Sequence, residues 1–170
     1  MGDSTIRDLK PRIAPPKPKC PELILYTDAE TLANTISAVL FEPSTFLRRR
    51  RVLIAHASTL PEEWHKARGP TSLIEGMGML SDVSFIIQHG ARLAGKSVAV
   101  YVDNNYALSS LIRGSAKSEA LANIVQMFWF YVQKYDIKRW LERVPSTRNI
   151  ADLPTRNQLT PFRRKRSLNF

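Results

Sequence analysis

The chain has 170 residues, 44% of them hydrophobic, and 25 Lys and Arg against 15 Asp and Glu give a formal net charge of +10. That length suits one domain with a real core, and the charge predicts attraction to a polyanion, either nucleic acid or an anionic membrane. No run approaches the roughly 20 apolar residues of a membrane span, Met1–Lys10 has no apolar signal region, and the single Cys20 excludes an intramolecular disulfide and a Cys-rich zinc site, so an intracellular location (cytosol, nucleus or organelle matrix) fits better than secretion.

Residues 1–21 read as a basic, Pro-rich tail or linker, because Pro11, Pro15, Pro16, Pro18 and Pro21 interrupt any helix. Leu23–Thr27, Thr35–Phe41 and Arg51–Ala57 are apolar runs of strand length. Short polar or Pro-containing segments separate them, which predicts an antiparallel meander. A helix is expected over Thr71–Ala94, started by Pro70 and Thr71 and stopped by Gly95, although Gly76, Gly78 and Gly90 lower its propensity. Ser97–Val102 reads as a fourth strand and Tyr106–Ile112 as a short helix ending near Gly114. Over Ser118–Tyr135, Leu121, Ile124, Val125, Phe128, Tyr131, Val132 and Tyr135 recur at three- and four-residue steps and make one apolar stripe of a helix. Lys138–Val144 reads as a fifth strand closed by Pro145, and Ile150–Asn157 as the start of a last short helix. Pro154 fits only in the first turn of that helix.

This order implies an α/β domain over residues 22–157, a mixed five-stranded sheet (three antiparallel strands, then parallel ones) flanked by helices. Residues 158–170 read as a basic tail. Its run Arg163-Arg164-Lys165-Arg166 suits a localisation signal, a phosphate-binding arm or a solvated tail equally.

Four acids sit beside apolar runs: Asp28 after Leu23–Thr27, Glu75 after Leu73-Ile74, Asp103 after Val98–Val102, and Asp152 after Asn149-Ile150-Ala151. A carboxylate in such a place is costly unless a cation or a proton neutralises it. Each expected element contributes one, as a cluster of hard oxygen ligands for Mg²⁺ requires. Two such ions about 4 Å apart can clamp the attacking and leaving oxygens of a phosphodiester. Glu62, Glu63 and Asp82 are further candidates for the helical acid.

In order and local wording the chain resembles the ribonuclease H family. The words are Leu-Tyr-Thr-Asp28-Ala, Ile-Glu75, Tyr-Val-Asp103-Asn-Asn and Val-Pro-Ser-Thr-Arg-Asn149-Ile-Ala-Asp152-Leu-Pro-Thr-Arg156. The stretch from Val100 to Arg156 is most similar to ribonuclease H domains of retroelement reverse transcriptases of the tyrosine-recombinase type. The resemblance implies a ribonuclease H-like fold and metal-dependent hydrolysis of the RNA strand of an RNA–DNA hybrid, with two Mg²⁺ or Mn²⁺ ions. Asp28 would bridge both ions, Glu75 and Asp103 would complete one site, and Asp152 the other. It further implies contacts to consecutive 2′-hydroxyls, and a setting either as a free enzyme or beside a reverse transcriptase polymerase domain. Two departures stand out. No His precedes Asp152, where many members carry one, and Thr31-Leu32-Ala33-Asn34 stands where a Gly often shapes the first turn.

Around the acids, Asn104, Asn105, Arg148, Asn149 and Arg156 are candidate contacts to nucleic acid. Turn-shaping suits Asn104 and Asn105 as well, and helix capping suits Asn149. The run Arg48–Arg51 enters the third strand, so its members should alternate between faces. Trp64, Trp129 and Trp140 fit the core or a hybrid-lining surface, and the three His lack metal-ligand spacing. Two rival functions share the fold: a binding module of a ribonucleoprotein without turnover, and a DNA-cutting or DNA-joining enzyme. A fourth acid after the fifth strand speaks against the latter.

Overall fold

The computed structural model describes residues 20–43, 50–60, 70–156 and 158, with the backbone alone at residues 50 and 70–75. Strand β1 (Leu23–Glu30) pairs antiparallel with β2 (Thr35–Pro43), which pairs antiparallel with β3 (Arg50–Thr59). On its other side β1 runs parallel to β4 (Ser97–Val102), and β4 parallel to β5 (Lys138–Arg143). The sheet order is therefore β3-β2-β1-β4-β5, the mixed five-stranded sheet the sequence predicts.

Alternation along β1 assigns its side chains to the two faces. Leu23 and Leu25 enter the larger core with Val98, Val100 and Val102 of β4. Ile24 and Tyr26 enter a smaller core with Val39, Phe41, Val144 and Ala151. Against the larger core pack α1 (Pro70–Leu93), α2 (Asn105–Arg113) and α3 (Glu119–Lys134). On the opposite face a 3₁₀ turn at Ser146–Arg148 leads into α4 (Asp152–Thr155). This last helix is shorter than the expected Ile150–Asn157. The Asn149 side-chain oxygen accepts from Ala151 N–H, and Pro154 sits within the single turn.

Local signals account for the element ends. Asn104 caps α2 by accepting from Tyr106 N–H and Ala107 N–H, and Gly114 ends it in the left-handed region at φ 70°. Ser118 caps α3 through Leu121 N–H. The turn between β1 and β2 needs no glycine, because Asn34 takes φ 51°, a conformation asparagine tolerates. The glycines of α1 weaken it locally but let neighbours approach. A Cβ on Gly90 would lie 2.1 Å from the Tyr135 ring, and one on Gly78 would lie 3.0 Å from the Ala107 Cβ. Gly90→Ala is therefore expected to lose about 1–3 kcal/mol of stability in urea unfolding, overpacking outweighing the gain in helix propensity. An unchanged midpoint would show that Tyr135 swings aside freely.

His56, Phe85 and His89 form a three-ring cluster with ring distances of 5.8, 4.7 and 5.6 Å, and burial lowers the pKa of both histidines. Trp129 is buried and donates to Leu111 O, and the Arg139 guanidinium lies 4.0 Å from its ring centre. Arg51 pairs with Glu42 at 2.7 Å on an exposed surface. Arg48, Arg49, Glu62, Glu63, Trp64, His65 and both expected tails, but for Cys20, Pro21 and Gln158, lie outside the described residues. No helix among the described residues is long and apolar enough to cross a membrane.

Candidate active site

The register of β1 and β4 builds the centre of the site. Their parallel pairing ends at Thr27 opposite Val102, so the next residues, Asp28 and Asp103, leave the paired region side by side on one face. On its other edge β1 continues, with Asp28 opposite Ser37 of β2. Asp28 thus lies inside a strand, but at the point where its β4 neighbour stops. It is 7% exposed. Burial first, then the neighbouring Asp103 carboxylate, pushes Asp28 up from 3.8 to about 7. Asp152 adds to the rise, while the Thr155 hydroxyl and Ala29 N–H act against it.

On the helical face, alternation directs Thr27 towards α1, and its hydroxyl donates to Asp82 Oδ1 at 3.0 Å. Asp82 is fully buried, and burial pushes it to about 7 against that hydrogen bond, with Asp103 adding to the rise. Its second oxygen, Oδ2, is buried without a hydrogen-bond partner. Of the candidate helical acids, Asp82 is the one whose side chain is described, and it meets the sheet through Thr27 and interacts with Asp103. Glu75 lies seven residues earlier on α1, about 10 Å along the axis on the same stripe. Its side chain is outside the described residues. One signal in the sequence pointed to Asp82: it is a carboxylate in the middle of an apolar helix, between the buried Met79 and Val83.

Asp152 opens α4, and that loop is clasped to the sheet by buried hydrogen bonds. Asn149 Nδ2 donates to Thr27 O at 2.9 Å and lies 3.4 Å from Asp28 Oδ1. Ser37 Oγ donates to Ala151 O, and Ser81 Oγ of α1 donates to Ser37 O, both at 2.6 Å. Thr155 Oγ1 lies 2.7 Å from Asp152 O and 3.2 Å from Asp28 Oδ2. Asp152 itself pairs with Arg156 Nε at 2.9 Å.

The expected nucleic-acid contacts divide by exposure. Asn149 is 4% exposed, and its amide is spent on β1 and the turn. It positions the loop and Asp28, a role its polar side chain beside Asp152 did not reveal. Asn104 is engaged as the α2 cap. Asn105, Arg148 and Arg156 are exposed. They are joined by Tyr106, whose exposed ring lies 5.6 Å from Lys117 Nζ.

The donor set suits a hard divalent cation in kind, since all the groups are carboxylates and one buried oxygen lacks a partner. Mutual repulsion and burial raise two of these carboxyls, and a cation would relieve both. No three His, Cys, Asp or Glu side chains among the described residues are grouped so as to hold an ion as they stand.

No family model matches the chain, and no curated protein matches its sequence. Solved structures do match. LC11-RNase H1 in complex with an RNA/DNA hybrid is 14% identical, with a TM-score of 0.59 over 82% of this chain and 97% of that one. An N-terminal RNase H domain from Mycobacterium tuberculosis is 12% identical, with a TM-score of 0.54 over 84% and 96%. RNase H1 of the halophilic archaeon Halobacterium salinarum is 8% identical, with a TM-score of 0.50 over 82% and 96%. The fold is that of ribonuclease H.

Proposed function

We propose that this chain, with its ribonuclease H fold, is a metal-dependent endoribonuclease that hydrolyses the RNA strand of RNA–DNA hybrids. The observation that carries the reading is the meeting of Asp28 and Asp103 where the parallel pairing of β1 and β4 stops, with Asp82 of α1 held by Thr27 across the sheet and Asp152 on the clasped loop. Asp28, Asp82, Asp103 and Asp152 would hold Mg²⁺ or Mn²⁺. Bound there, the ions would supply charge neutralisation and activation of water at the scissile phosphate.

The chain's own groups account for the rest. Thr27, Asn149 and Thr155 hold Asp82, Asp28 and the α4 loop in place. Exposed Asn105 and Tyr106 follow Asp103 closely in the chain, Lys117 lies over the Tyr106 ring and exposed Arg148 precedes Asp152, and they offer hydrogen-bond donors, a stacking face and positive charge to a nucleic-acid backbone. Selection of a hybrid would rest on 2′-hydroxyl contacts, the chemical difference between the two strands. The origin in a retroelement reverse transcriptase of the tyrosine-recombinase type rests on the words between Val100 and Arg156.

Labelled RNA–DNA hybrid, duplex RNA and duplex DNA, each with Mg²⁺ and with EDTA, test the reading. Only the RNA of the hybrid should be cut, only with the metal, and about 100-fold or more slowly by Asp103→Asn. Tight binding without cleavage in Mg²⁺ or Mn²⁺ would favour a ribonucleoprotein binding module instead, and cutting of duplex DNA would favour the third reading.

A further inference from the structure

Asp152 already holds a cation on one of its oxygens. Arg156 donates Nε to its Oδ1, and Arg156 N–H donates to Asp152 O at 3.3 Å, so the two residues are tied through side chain and backbone. The Arg156 charge also interacts with Glu30 and Asp28. The guanidinium is thus bonded to Asp152 and lies within the field of the neighbouring acids. Its freedom differs sharply from that of its surroundings. The loop backbone is locked by Asn149, Ser37 and Thr155, whereas the Arg156 side chain is 62% exposed. An ion pair so exposed is weak and exchangeable. What can rearrange at Asp152 is thus the guanidinium, with the backbone left in place.

We infer that Arg156 is an exchangeable counter-cation, a positioning residue that occupies Asp152 in the free protein and yields it to a divalent ion. Released, the guanidinium stands at the site's rim with its donors free for a phosphate oxygen of the nucleic-acid strand. Its contact with nucleic acid is then conditional on metal, unlike that of a plain surface arginine. This inference rests on the reading of the four aspartates as metal ligands.

Isothermal titration of the full chain with Mn²⁺ alone, without nucleic acid, tests it. Arg156→Gln should bind Mn²⁺ about three- to tenfold more tightly than wild type, because one positive charge leaves the site, while Arg156→Lys should stay nearer wild type. In EDTA, where Arg156 remains on Asp152, hybrid affinity by fluorescence anisotropy should fall less than about twofold in Arg156→Gln. Equal Mn²⁺ titrations for wild type and Arg156→Gln, with binding lost in Asp28→Asn, would overturn the counter-cation role and leave the metal site standing. Mn²⁺ binding that is indifferent to Asp28→Asn would overturn the metal reading and this inference with it.

Discussion

Asp82→Asn is expected to slow cleavage of the RNA strand by about 100-fold or more, and Glu75→Gln by less than about threefold. The contrast follows from where α1 places its residues. Asp82 accepts from Thr27, the residue immediately before Asp28, and interacts with Asp103. Glu75 lies two helical turns nearer the N-terminus. The asparagine keeps an acceptor for the Thr27 hydroxyl and removes the charge, so the loss should appear in kcat more than in the fold. Thermal unfolding of the metal-free variant reads that directly. If Glu75→Gln abolished cleavage and Asp82→Asn cut like wild type, the helical ligand would be Glu75, and the buried Asp82 would be a structural carboxyl.

The second large effect concerns pH. Asp28 titrates at about 7 in the fold, against 3.8 for the unperturbed group. Between those values the folded protein binds a proton that the unfolded chain releases. Stability must therefore fall as pH rises from about 4 through 7, the reverse of a carboxylate stabilised by a salt bridge. Asp82 pulls in the same direction. Urea unfolding in EDTA should show this decline in wild type. Asp28→Asn should flatten it and leave the variant about 1–3 kcal/mol more stable than wild type at pH 8, while eliminating cleavage. Added Mg²⁺ should recover stability at pH 8 in wild type but not in the variant. A pH-independent wild type, or an Asp28→Asn protein weaker at pH 8, would mean that the carboxyl is not held against its charge. Substitutions that gain stability and lose activity are expected where a fold keeps charge uncompensated for function.

The two active-site substitutions also separate what was legible in the chain from what was not. Asp28 and Asp103 were readable because each directly follows an apolar run of strand length, and parallel pairing of those runs brings them together without help from distant residues. Asp152 was readable from the words around it. The choice between the helical acids was not. The 24-residue helix carries two carboxylates, Glu75 and Asp82, seven residues apart, and only its packing decides which one meets the sheet. Gly78 takes part in that choice, because it admits Ala107 and the Asn104 cap close to α1 one turn before Asp82. Asn149 carried two readings, phosphate contact and helix capping, and the sequence left both open for a related reason. A polar residue next to a catalytic candidate looks the same in sequence whether it faces solvent or closes a buried loop.

The sequence by itself determined the order of strands and helices and the mixed sheet, and it marked Asp28 and Asp103 at neighbouring positions of that sheet. Those depend on periodicity, capping residues and runs of local words, all of which act over a few neighbouring positions. Tertiary structure alone decided that Asp82 is buried against Thr27, that Asn149 looks inward and that Arg156 holds Asp152. Each of those depends on groups brought together by folding: Thr27 and Asp82 are 55 residues apart, and Asn149 and Thr27 are 122 apart. Burial and charge coupling are properties of that assembled neighbourhood, and no local pattern encodes them.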